Sequence, residues 1–209
     1  MNKWADVIHT IEKNEESKTI DQKLELTNYY YGYIGYLLGL KKYDQAQPLI
    51  AKGEKLITEI ISASPKNATA YAYKAAFIGF RIVIDKFKVF SLGQESLASV
   101  NKAYEIDPKN IQAIIDKGNT LYHTPGIFGG DKQEALIFFL RGMKLMEQTK
   151  ITDQNWFYLN VLILIARTYE QLDRPQEAKL TYEKILQKEP NHKWVKDELY
   201  PLFLAKLKK

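Results

Sequence analysis

The side chains of this sequence best suited to hold a metal or move a proton near neutral pH are three histidines, His9, His123 and His192. They lie in three separate stretches, and no two are placed at the spacing of a helical metal site. Glu15-Glu16 and Asp107 read as turn or capping carboxylates. No acidic pair sits on an apolar stretch where burial would raise a pKa for acid–base work. No serine stands in a Gly-x-Ser-x-Gly elbow, and Gly129-Gly130 lacks the Lys-Ser/Thr of a phosphate loop. The chain has no cysteine, which removes disulfides, thiolate nucleophiles and cysteine-bound metals together. The expectation is a non-enzymatic protein with no metal and no cofactor.

One segment stands out, His123-Thr124-Pro125-Gly126-Ile127-Phe128-Gly129-Gly130-Asp131. Its glycines permit a sharp reversal, Asp131 can accept from the first N–H groups of a following helix, and Glu134 would complete a capping box. Two readings follow. The stretch is a long loop with a well-specified exit into a helix, or it is a binding loop that presents His123 and Phe128 to a partner.

Elements must carry these residues, and composition bounds them. With 209 residues, 45% hydrophobic and 26% charged, the chain is long enough for one domain with a continuous core. The net charge of +5 comes from lysines scattered along the chain, since the arginines are only Arg81, Arg141, Arg167 and Arg174. Scatter of this kind describes solvated helix faces, not a nucleic-acid footprint, and Lys206, Lys208 and Lys209 form the only local basic cluster. The longest apolar stretches, 29–40 and 161–166, fall short of the roughly 20 residues that cross a bilayer. The N-terminus leads directly into an amphipathic pattern, as it would if a signal peptide had been replaced by Met1, so localisation stays open.

The sequence repeats itself. Pro65-Lys66-Asn67 precedes Ala70-Tyr71, Pro108-Lys109-Asn110 precedes Ala113-Ile114, and Pro190-Asn191-His192 precedes Lys193-Trp194. The prolines are 43 and then 82 residues apart, which places a degenerate boundary between Glu147 and Asp153. Proline ends one helix and the polar residues after it begin the next. From Leu162 the row Leu162, Ile165, Ala166, Tyr169, Ala178, Tyr182, Ile185 steps by threes and fours within each of two helices and jumps across the turn Asp173-Arg174-Pro175.

This row resembles the tetratricopeptide repeat (TPR), most closely over Leu159–His192. The resemblance implies an all-α, right-handed superhelix in one domain, 1–209, with helix pairs at about 24–65, 67–108, 110–150 and 155–190. The first helix of the second pair is expected to run to about Phe87. A C-terminal cap at 192–207, interrupted at Pro201, would turn Trp194, Val195, Leu199, Leu202 and Phe203 inward, and an N-terminal helix would do so with Trp4, Val7, Ile8 and Ile11.

In that family the first helix of each pair lines a concave groove. By register its contact positions here are Tyr29 and Tyr36, Thr69 and Ala76, Asn119 and Tyr122, and Asn160, Arg167 and Glu170. Most of the run Tyr29, Tyr30, Tyr31, Tyr33, Tyr36 must fill space between helices, because five aromatics in eight residues cannot share one face. Ile115 and Leu164 stand where a clamp for a terminal carboxylate needs lysine and asparagine, so an internal peptide or a folded protein is the expected partner, and an oligomer is possible. The Pro-Gly-x-Phe-Gly-Gly-Asp loop resembles one in bacterial TPR proteins, many of them exported, including periplasmic subunits associated with TRAP transporters. That likeness implies an alternative, a transport-accessory or small-ligand-binding protein, and tilts localisation toward the periplasm.

Overall fold

The computed structural model describes residues 2–13, 18–153 and 155–207, and among them there is no β-strand. Glu15, Glu16, Lys208 and Lys209 lie outside the described residues. The helices are α1 (Asn2–Lys13), α2 (Ile20–Gly39), α3 (Tyr43–Ala63), α4 (Ala68–Ile84), α5 (Val89–Ile106), α6 (Ile111–His123), α7 (Lys132–Gln148), α8 (Trp156–Gln171), α9 (Pro175–Lys188) and α10 (Tyr200–Leu207). The chain divides into two compact units, 1–116 and 117–209.

Helix starts follow directly from the sequence. Asn67 and Asn110, the last residues of the two Pro-Lys-Asn triplets, accept the Ala70 and Ala113 N–H groups at 2.9 and 3.0 Å. Thr19 and Gln22 form a reciprocal capping box at the start of α2, and Asn155 accepts two N–H groups at the start of α8. Helix ends are less overt. Lys41, Lys150 and Asp173 adopt left-handed φ of 58°, 58° and 54° just past α2, α7 and α8. Each is followed by a residue that hydrogen-bonds back into the last turn: Lys42 to Leu37, Ile151 to Met146, Arg174 to Tyr169. Glycine would take this conformation most readily, so the lysines at 41 and 150 do not announce a turn, whereas Asp173-Arg174-Pro175 does.

In the first unit α2 packs on α3, α3 on α4, and α2 also meets α4, the contact of successive first helices in a stack of pairs. Ile34, Ile60, Ala70, Phe77 and Val100 are fully buried there. Gly53 on α3 lets the Phe77 ring approach so closely that a Cβ would lie 2.1 Å from it. In the second unit α8 lies against both α7 and α9. The whole row Leu162, Ile165, Ala166, Tyr169, Ala178, Tyr182, Ile185 is buried, and Gly118 on α6 admits Phe139 of α7 as Gly53 admits Phe77.

Three expectations are corrected. The helix expected to continue to Phe87 ends at Ile84, because Asp85 leaves the helical region and its carboxylate accepts the Phe87 N–H, starting a single 3-10 turn at Lys86–Lys88. The cap is not interrupted at Pro201; a π turn, Val195–Leu199, precedes it, and the Tyr200 N–H reaches Val195. Proline offers no N–H and crowds the carbonyl four residues back, which the wider turn accommodates. The extra residue rotates the face: Val195 and Phe203 are buried, while Trp194 and Leu202 are exposed. At the other end Ile8 is buried but Val7 is exposed, and Trp4 packs its edge on Tyr29 at 6.2 Å.

Candidate functional site

α2 sorts its five tyrosines. Tyr30 and Tyr31 enter the core, where Tyr30 donates to Glu12 and Tyr31 donates to Asp116 at 3.2 Å. Tyr29, Tyr33 and Tyr36 are half-buried on another face, with the Tyr33 and Tyr36 rings stacked at 6.4 Å. Tyr33 was not among the residues assigned to the groove, although its spacing of four from Tyr29 and three from Tyr36 places it with them. Thr69 is engaged, its hydroxyl accepting from Asn110 at 2.8 Å.

Asp116 is a buried carboxylate on an apolar stretch, which the sequence did not single out. It accepts from Tyr31 and, at 2.7 Å, from Gln112. Asn28 donates to the neighbouring Tyr73 hydroxyl at 2.7 Å. Burial, and then the Asp116 charge, drive the Tyr31 phenol well above its ordinary range, so it stays a donor to Asp116. The arrangement satisfies buried polar groups and ties α2 to α6.

The second unit brings together most of its candidates. Tyr122, at the end of α6, is only 9% exposed; its ring meets His123 and Phe139 and lies 4.5 Å beneath the Lys132 ammonium. Burial raises its phenol, with Arg167 opposing and Glu170 adding. His123 reaches solvent, yet the protein packed around its imidazole, then Arg167 and Lys132, lower its pKa and keep it neutral at pH 7. Glu170 accepts from Tyr182 at 2.6 Å and from Lys206 at 3.0 Å. Asn160, half-buried, and Arg167, exposed, sit seven residues apart on α8, with Glu170 one turn further. Arg81 and Arg174 pair with Glu54 and Glu177, whereas Arg167 has no carboxylate partner among the described residues. Asn119, half-buried, lies one turn before Tyr122 on α6.

The loop from His123 to Asp131 has a clear local logic. A 3-10 turn, Gly126–Phe128, ends at Gly129 with φ +88°, and a Cβ on Gly130 would stand 1.8 Å from the Thr124 carbonyl oxygen. Asp131 caps α7 through the Gln133 and Glu134 N–H groups at 2.7 and 2.9 Å. The expected capping box is only half made, because the Asp131 N–H donates to the Leu121 carbonyl and not to Glu134. Phe128 and Ile127 project into solvent.

No family profile matches the sequence. No curated protein matches it either. Solved structures do. The haemophore HusA of Porphyromonas gingivalis superposes with a TM-score of 0.66 at 17% identity, over 80% of this chain and 84% of that one. A thermophilic TPR protein of Thermus thermophilus superposes with a TM-score of 0.65 at 14% identity, over 98% and 92%. The PilF protein of Pseudomonas aeruginosa gives 0.51 at 19% identity, over 91% and 72%. At these identities the likeness speaks for the fold, and with the helix pairs described above it shows that this chain has an all-α, TPR-like helical-repeat fold.

Proposed function

We propose that the protein is a non-enzymatic interaction scaffold that binds a polypeptide along the faces of its first helices. The observation that carries the reading is Arg167, an exposed guanidinium without a carboxylate partner among the described residues, set beside Tyr122 and Glu170 on the face that also holds Asn160. A planar, always-charged donor fork flanked by aromatic and amide groups suits carboxylates and carbonyls of a bound chain. Asn119 extends this surface, and Tyr29 and Tyr36 supply a second, aromatic one on α2. The loop serves first to close the α6–α7 pair, since Gly129, Gly130 and Asp131 each have a local structural task; His123 and Phe128 are its exposed contributions.

The test is capture of partners from the source cell with the full chain and with Tyr36→Ala, Asn119→Ala and Arg167→Ala combined, the fold being checked by circular dichroism. Loss of the partners supports the groove; recovery of the same partners from a folded variant rules it out. The runner-up, a small-ligand or transport-accessory role, draws on the loop's likeness to transporter-associated subunits and on the shared fold with a protein named a haemophore. Native mass spectrometry separates the two, because a retained small molecule would replace the scaffold reading.

A further inference from the structure

The turn between α4 and α5 carries an apolar tip that the groove does not use. Phe87 is 85% exposed and Phe90 83% exposed, with Val83 and Val89 exposed beside them. A phenylalanine this open makes almost no contact with its own chain, so the pair forms a protruding knob, not a flat face. Neither ring stacks on another aromatic among the described residues. Phe87 lies in the 3-10 turn and Phe90 in the first turn of α5, three residues on, so the two rings leave the chain close together.

Its charges lean positive. Arg81 is paired with Glu54 at 3.5 Å, which leaves Lys86 and Lys88 against the single carboxylate of Asp85. Lys88 reaches Asp85 only at 3.9 Å, and Lys86 has no ion-pair partner among the described residues. Lysines on either side of an exposed phenylalanine can hold their ammonium groups at headgroup level while the ring enters the acyl boundary. A cleft of about 340 Å³ adjoins the tip through Ile84 and Lys88, with Arg81, Glu54 and Gln47 also on its wall. The whole chain carries a net charge of +5, which adds attraction to an anionic surface.

We propose that this tip is a peripheral membrane-attachment site, in which Phe87 and Phe90 insert into the interface of an anionic lipid surface and Lys86 and Lys88 meet its headgroups. No helix among the described residues is long and apolar enough to cross a membrane, and the proposal requires none. It is independent of the groove, so either can fail alone.

The test is co-sedimentation of the full chain with vesicles of phosphatidylcholine alone and of phosphatidylcholine mixed with phosphatidylglycerol. Binding is expected to the mixed vesicles and to weaken with salt. Phe87→Ser with Phe90→Ser is expected to lower partitioning roughly tenfold or more, and Lys86→Gln with Lys88→Gln to lower it on mixed vesicles only. A control, Ile137→Ser with Leu180→Ser, removes two exposed apolar side chains elsewhere and should bind as the parent does. The proposal fails if the parent ignores the mixed vesicles, if the phenylalanine variant binds like the parent, or if the control loses as much. It also fails if sedimentation velocity without lipid shows a dimer that the phenylalanine variant abolishes, which would assign the knob to a second copy.

Discussion

At the scale of single residues, buried tyrosines hand their hydroxyls to glutamates of the preceding helix: Tyr30 to Glu12, Tyr158 to Glu147 at 2.6 Å and Tyr182 to Glu170 at 2.6 Å. Each phenol is pushed above its ordinary range by burial and by its carboxylate, so it remains a donor across the accessible pH range. Glu147 shows the other side of the arrangement. The Lys184 ammonium at 2.8 Å, and then the Tyr158 hydroxyl, hold its carboxyl below the ordinary value of 4.5. A carboxylate depressed in the folded state stabilises that state above the unfolded pKa, and the contribution fades as pH falls through the folded one. Glu147→Gln is therefore expected to lower the melting temperature at pH 7. The difference from the parent should begin to shrink below about pH 4.5 and vanish once the carboxyl is protonated in both states. Thermal melts of both proteins from pH 7 to pH 3 check this; a difference that does not change with pH would assign the loss to packing. The side chain is more than a third exposed, so solvent screening keeps the effect small.

At the scale of elements, the sequence was most legible where residue type and conformation agree. The Pro-Lys-Asn triplets mark α4 and α6, and the row from Leu162 to Ile185 marks the α8–α9 pair, because period and caps point the same way there. It was least legible where a residue takes an unusual conformation without announcing it. The boundary after α7 has neither proline nor glycine, since Lys150 occupies the left-handed position. In the cap, the sequence pattern turns Trp194 and Leu202 inward along with Val195 and Phe203, and the π turn leaves the first two exposed. This difference has a measurable consequence. Phe203 lies against the Tyr182 and Tyr200 rings at 5.6 and 6.3 Å, so Phe203→Ala should cost about 3 kcal/mol. Leu202→Ala, at an exposed position, should stay within about 0.5 kcal/mol. Urea unfolding of the two variants decides, and equal losses would mean that Leu202 faces inward beside Phe203, as the sequence pattern suggests.

At the scale of the whole molecule, the class of fold could be read because a helical repeat is written in local spacings, which need no knowledge of distant contacts. The candidate site was only partly readable for the opposite reason. Whether an arginine such as Arg167 stays without a carboxylate partner among the described residues, or a tyrosine such as Tyr122 is covered, depends on which carboxylates and rings other helices bring near. The projecting phenylalanines were hidden in the same way, since Phe87 was expected inside a helix and lies in a turn past its end. A chain built of helix pairs should also open unevenly. α8 buries nine of its side chains and α4 seven, whereas α1 is held by Ile8, by the half-buried Trp4 and Ile11, and by Glu12 with its tyrosine and lysine partners. Native-state hydrogen exchange is therefore expected to show one slow centre in each unit, on α8 and on α4. Amides of α1 and α10 should exchange first, because each has neighbours on one side only and breaks few apolar contacts on opening. Protection as strong on α1 as on α8 would mean that the molecule opens in a single step, and that stability is shared along the chain instead of being centred within each unit.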